Sequence, residues 1–154
     1  MIKKINNTIL DRPLNILLTG GSSGIGYQAA LKLISLGHNI ILPCRNIIRA
    51  NETLIKLFND IPFDLCYRGN ISAPIMDLSD LKSIDSFCNE MIKRREKLDI
   101  LILNAGLQYT GSKEIKRSSQ GVELTFAVNH LAHHYLTRKL LPILNNTGNT
   151  RIII

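Results

Sequence analysis

The chain has 154 residues, enough for one domain with a real core, and its 45% hydrophobic and 20% charged residues are ordinary for a soluble globular protein. The formal charge of +7 raises nucleic acid or an anionic membrane surface as partners, but the Lys and Arg residues are scattered. Their densest cluster, KRREK at 93–97, reads as a solvated helix end, and no nucleic-acid motif accompanies it.

Aromatic residues are scarce and Trp is absent, so the core must be built from Ile and Leu. Cys44, Cys66 and Cys88 lie far apart with no Cys-x-x-Cys, which fits reduced thiols in a cytoplasmic protein rather than a disulfide framework or a zinc site. The opening MIKKINNTILDRP has no long apolar run, so it does not read as a secretory signal. No stretch reaches the roughly 18 apolar residues of a membrane span.

In chain order, LNILLT at 14–19 reads as a buried strand running into glycines. Ala29, Ala30, Leu33 and Ile34 then fall at helical spacing, and Gly37 stops that helix. NIILPC at 39–44 is a second strand, with Pro43 at its end because proline cannot donate to a ladder. A helix over 49–59 follows, with Leu54, Ile55, Leu57 and Phe58 on its apolar face. The stretch 61–73 holds a short strand and a turn at RGN, and in APIMDLSD a strand end passes into a helix capped by Ser79 or Asp77. LDILILNAG at 98–106 is the most apolar strand, a long helix runs from about Gln120 to Leu141, and TRIII at 150–154 begins another strand. Such β-α alternation predicts an α/β domain: a doubly wound, mostly parallel sheet with helices on both faces and right-handed crossovers, the Rossmann-type dinucleotide architecture.

The turn TGGSSGIG follows the first strand and opens the first helix, as a phosphate-cradling turn requires. Gly20 allows the sharp turn, Gly24 lets the backbone approach a pyrophosphate, and Gly26 lets the helix pack close to the sheet. N–H groups at the helix start meet the phosphates, and Ser22 and Ser23 add hydroxyl donors. At the end of the second strand, an acidic residue would bind a ribose 2′-hydroxyl and favour NAD; PCRN stands there instead. Arg45 brings a planar fork suited to a 2′-phosphate, so NADP is expected over NAD, with Asn46 assisting.

TGGSSGIG, DL at 77–78, NAG at 104–106 and AVNHLAH at 127–133 occur in the order found in short-chain dehydrogenases/reductases, and the chain resembles that family from about Leu14 to its end. The CRN and LTFAVNHLAH segments look most like the retinol dehydrogenase and light-dependent protochlorophyllide reductase branch. The resemblance implies that Gly20, Ser22, Ser23, Gly24, Ile25 and Gly26 form the cofactor turn and that Arg45 meets the 2′-phosphate. It implies that Asp77, with Leu78 beside it, binds the adenine amino group. Asn104, Ala105 and Gly106 would line the ribose and steady the sheet, and Asn129 would be the catalytic asparagine that helps hold a water in a proton relay.

The family's reaction moves a hydride between nicotinamide and a carbonyl or alcohol carbon, or across a ring double bond. It uses a tyrosine, a lysine four residues later and an upstream serine, all beyond the strand that begins here as RIII. Two Tyr-x-x-x-Lys matches occur, Tyr109 with Lys113 and Tyr135 with Lys139; neither has a serine at the expected distance upstream, and the second shares its helix with Asn129. His130 and His134 are four apart, but Leu131 stands where a zinc-protease pattern needs Glu, so no metal is expected. The chain therefore reads as a single C-terminally incomplete dinucleotide-binding domain, inactive on its own, of an NADP-dependent oxidoreductase. The alternative is a non-catalytic dinucleotide-binding module or a shortened gene product. The apolar end invites self-association.

Overall fold

The computed structural model describes residues 12–61, 69–108 and 114–154; Cys66 and the match of Tyr109 with Lys113 lie outside these segments. Among the described residues, strands and helices alternate: β1 (Asn15–Leu18), α1 (Gly24–Ser35), β2 (Asn39–Ile41), α2 (Ile47–Asp60), β3 (Ile71–Ser72), α3 (Leu81–Lys93), β4 (Ile100–Ile102), α4 (Leu124–Phe126), α5 (Ala132–Thr147) and β5 (Arg151–Ile153). A π turn, Ala127–Leu131, joins α4 to α5 without a break. All strands are parallel, in the order β3-β2-β1-β4-β5, so the chain winds outward from β1, returns, and winds outward again on the other side. This is the doubly wound architecture that the alternation predicts.

Alternation along β1 divides the core between the two faces of the sheet. Ile16 and Leu18 join Tyr27, Ala30 and Ile34 of α1 and Leu57 of α2. Leu17 points the other way, into a cluster with Leu101, Ile84 and Cys88 of α3 and Leu136 and Leu140 of α5. Each such aliphatic side chain contributes about 1.5–3 kcal/mol on burial, so Ile and Leu supply the cohesion that aromatic residues do not.

The strands are shorter than the apolar runs that encode them, because their carboxyl ends leave the ladder. β1 stops at Leu18 and the chain turns at Gly20, where φ is 70°. β2 stops at Ile41 before Pro43, which has no N–H; the Leu42 N–H still donates to the Ser72 carbonyl at 2.8 Å, and beyond the proline a Cys44–Ile75 bridge follows, where the Cys44 N–H donates to the Pro74 carbonyl at 2.9 Å. Neither Ser79 nor Asp77 caps α3. Asp80 does so, accepting from the Lys82 N–H at 3.1 Å, because Asp77 Oδ1 is turned onto the Ser79 N–H and hydroxyl at 2.8 and 2.7 Å.

The final helix also departs from its expected span of Gln120 to Leu141. Gln120 is held outside it, donating to Asp80 Oδ1 at 2.8 Å and accepting from the Leu81 N–H at 3.2 Å. Gly121 adopts φ 77°, and Glu123 caps the helix by accepting from the Thr125 and Phe126 N–H groups. The helix then runs through Pro142 to Thr147, with Ile143 and Leu144 buried in the α3–α5 cluster. At the KRREK segment, α3 ends at Lys93, Arg95 turns the chain with φ 52°, and the four basic side chains are exposed. Among the described residues, no helix is long and apolar enough to cross a membrane.

Candidate cofactor site

Beyond the carboxyl ends of β1, β2, β3 and β4 lies a cleft, on the side of an open α/β sheet where ligands bind. The cleft here has a volume of about 330 Å³, and Gly20, Ser22, Arg45, Asp77, Leu78 and Ala105 are on its walls.

The glycine turn is shaped by close approach. A Cβ at Gly20 would lie 2.7 Å from Ala105 Cα, so the chain after β4 packs directly on the turn. A Cβ at Gly26 would lie 2.3 Å from the Gly20 carbonyl oxygen and 2.5 Å from Asn104 Nδ2, so no other residue lets α1 start this close to the sheet. At Gly24, by contrast, a Cβ would face open space, and an incoming group can reach the backbone there. Ser23 is extended just before α1 and its hydroxyl makes no cap bond; Ile25 is 84% exposed. The N-terminal N–H groups of α1 thus belong to the turn, with the positive end of the helix dipole beside the cleft.

Thr19, 1% exposed, is the hub beneath this turn. Its Oγ1 accepts from the Asn104 and Ala105 N–H groups, both at 3.0 Å. Asn104 returns the contact, its Nδ2 donating to the Thr19 carbonyl at 3.1 Å and to the Gly20 carbonyl at 3.4 Å. Asn104 therefore braces the turn, while Ala105 forms the wall. Gly106 lies next to Asn129. The Asn129 side chain is locked onto the backbone of Leu107, with Oδ1 accepting from its N–H and Nδ2 donating to its carbonyl, each at 2.9 Å. Leu107 and Val128 carry that lock to the cleft wall.

The opposite wall is basic. Arg45 leaves β2, and Asn46 begins α2 by accepting from the Arg49 N–H at 2.9 Å. Asn46 thus acts by starting the helix, and this start places Arg49 on the cleft beside Arg45. The sequence reading missed Arg49; its signal is a second Arg four residues after the first, across an N-cap. Arg49 also lies 3.6 Å from Glu52, an exposed contact that leaves its charge available in water. Cys44 forms the floor, and burial pushes its thiol pKa up, which is the wrong direction for a nucleophile.

The structure places Tyr135 and Lys139 elsewhere, on the seam between α3 and α5. The Tyr135 hydroxyl meets both Asp85 oxygens at 2.9 Å, and Lys139 Nζ lies 2.8 Å from Asp85 Oδ1. Asp85 is held below the usual carboxylate range, chiefly by Lys139 and then by Tyr135, and Asp85 in turn raises the Tyr135 phenol. A raised phenol is ill suited to proton exchange near neutrality, and none of the three residues lines the cleft. Among the described residues, no group of three His, Cys, Asp or Glu is arranged to hold a metal ion.

The family model for short chain dehydrogenases matches residues 14–154. The chain belongs to the short-chain dehydrogenase family. Among its relatives, mouse retinol dehydrogenase 14 is 33% identical over 148 residues, covering 90% of this chain and 42% of that protein. Human retinol dehydrogenase 13 is 36% identical over 138 residues, with 90% and 39% covered. These matches place the chain with the retinol dehydrogenase branch, and it spans less than half the length of either relative. A solved complex of Pseudomonas aeruginosa RhlG with NADP superposes with a TM-score of 0.69 at 25% identity, covering 87% of this chain and 49% of that one. In a short-chain dehydrogenase the glycine turn and cleft are the setting for a nicotinamide dinucleotide. The tight Gly20 and Gly26 contacts and the open face of Gly24 fit that group.

Proposed function

We propose that the cleft binds NADP(H) for hydride transfer between nicotinamide and a carbonyl or alcohol substrate, or a ring double bond. The observation that carries this reading is the pair Arg45 and Arg49 on one wall, where an NAD-specific site would present a carboxylate. Two guanidinium groups suit the 2′-phosphate, the glycine turn and the start of α1 suit the pyrophosphate, and Asp77 and Leu78 suit the adenine. The cofactor supplies the hydride; the protein's residues hold and orient it and exclude water. The RhlG–NADP complex supports the choice of nucleotide by analogy.

Arg45→Asp is expected to weaken NADPH binding by about 10–100-fold while leaving NADH binding unchanged or improved, read by titration calorimetry. An unchanged NADPH:NADH ratio would remove the 2′-phosphate assignment. One observation favours a second reading, a dinucleotide-binding module without catalysis: Tyr135 and Lys139, which have the spacing of a proton-transfer pair, are fixed to Asp85 on the α3–α5 seam away from the cleft. That reading expects NADPH binding with no turnover of retinal or small carbonyl compounds. Binding with turnover would sink it. For either reading the setting proposed is cytoplasmic, on the scattered cysteines and the lack of a Cys-x-x-Cys.

A further inference from the structure

His133 is 6% exposed, is not on the cleft wall, and has no part in binding or chemistry as described so far. Its Nε2 lies 3.1 Å from Thr19 Oγ1, a contact that spans 114 residues of sequence. Which atom carries the hydrogen follows from counting. A threonine hydroxyl has two acceptor sites and one hydrogen. Both acceptor sites on Thr19 are filled by the Asn104 and Ala105 N–H groups. Thr19 Oγ1 can therefore only donate. Its other possible acceptor, the Ile102 carbonyl, has a second lone pair beside the one that takes the Thr19 N–H, but at 3.4 Å it lies well beyond the usual O–H···O range, whereas His133 Nε2 is at 3.1 Å. The hydroxyl hydrogen goes to His133 Nε2, so that nitrogen is unprotonated and the ring proton is on Nδ1. His133 follows Asn129 by one helical turn, and the Asn129 backbone is the polar neighbour that works against burial in setting the ring's pKa.

We infer that His133 is a positioning residue, a neutral imidazole with its proton on Nδ1 that ties the Thr19 hub beneath the cofactor turn to the Asn129 turn of the last helix. The chain of donors runs from the Asn104 and Ala105 N–H groups to Thr19 and from Thr19 to His133, which stands one helical turn after Asn129. Asn129 passes the constraint to Leu107 through its two side-chain bonds, and Leu107 is on the cleft wall. Burial lowers the pKa of the ring, in keeping with its neutral state. The link to the cofactor rests on the NADP(H) assignment; the tautomer does not.

The test is nitrogen-15 NMR of the histidine rings in the full chain, with His130 and His134 as internal controls. Free histidine prefers the proton on Nε2. The expected result is a pyrrole-type Nδ1 and a pyridine-type Nε2 at His133 alone. Thr19→Val should abolish this tautomer and shift the Leu107 amide, and Thr19→Ser should restore both. Adding NADPH should shift the His133 ring more than the two control rings, and His133→Phe should raise the NADPH Kd about tenfold. An Nε2–H or doubly protonated His133 ring at neutral pH overturns the inference without any variant, as does a Leu107 amide indifferent to Thr19→Val. NADPH that binds without moving the His133 ring overturns the positioning role. Absence of NADPH binding, with the tautomer and the Leu107 coupling in place, counts against the NADP(H) assignment alone.

Discussion

The central pair of strands, β1 and β4, is closed at each end by one buried polar side chain, and the two closures are opposite in kind. At the carboxyl end it is Thr19, 1% exposed, a neutral hydroxyl bonded to backbone and to a neutral imidazole. At the amino end it is Asp99, 5% exposed, which accepts from the Asn15 N–H at 2.8 Å and from Arg12 through both oxygens at 2.6 and 3.1 Å. Arg12 is the first cause holding the Asp99 carboxyl below its ordinary range. The register sets Asn15 one step before the Ile16–Ile100 pair, level with Asp99, so four residue steps, about 13 Å, separate the two closures. Arg12 also offsets the Asp99 charge where it stands, so little of it reaches the other end. Among the described residues, no buried carboxylate stands at the end that carries the cleft, while the sheet still has an ionic clamp at the other.

The sharpest way to break the comparison is at the neutral end. Gly26→Ala sets a Cβ against the Gly20 carbonyl and the Asn104 amide, and should weaken NADPH binding by more than about 100-fold and lower Tm, because overpacking here displaces backbone. Normal binding by that variant would mean that the turn is not what holds the nucleotide. At the ionic end, Asp99→Asn should lower Tm at pH 7 by several degrees, read by circular dichroism, and leave NADPH affinity within about twofold. Its pH dependence has a definite sign. A depressed carboxyl contributes stability above the usual carboxylate range and loses it as pH falls through the lowered folded value. Stability of the parent should therefore fall on acidification more steeply than that of Asp99→Asn; parallel acid limbs would show that Asp99 is not the group responsible. The smallest effect is expected from Asp85→Asn on the α3–α5 seam. Its contacts are partly solvated, so Tm should change by no more than about 2 °C, with nucleotide binding unaltered. A change in binding would couple that seam to the cleft.

Local signals made the framework legible. The glycine turn, the alternation of strands and helices, and the Arg after β2 each announce themselves within a dozen residues, because backbone shape and side-chain periodicity are local properties. Three things were not legible. The cap of α3 was expected at Ser79 or Asp77 and lies at Asp80, because Asp77 folds back onto Ser79. Tyr135 and Lys139 have the spacing of a proton-transfer pair, but their partner Asp85 lies on another helix and fixes them to a structural seam. Thr19 and His133 look like an ordinary strand end and one of three neighbouring histidines until the fold brings them within 3.1 Å. Spacing within one element could not reveal partners chosen by packing between elements.

The π turn at Ala127–Leu131 also restricts how this gene can vary. A π turn holds one extra residue in about the arc of an α turn, so removing one residue there would return the helix to ordinary α geometry and leave His133 in phase with Thr19. Removing one residue from α5 itself would instead rotate every later position by about 100°, and a deletion just after His133 would turn Leu136 and Leu140 out of the cluster they fill. Length variation among descendants of this chain should therefore collect in its surface connections and, within the last helix, at these five positions rather than in α5.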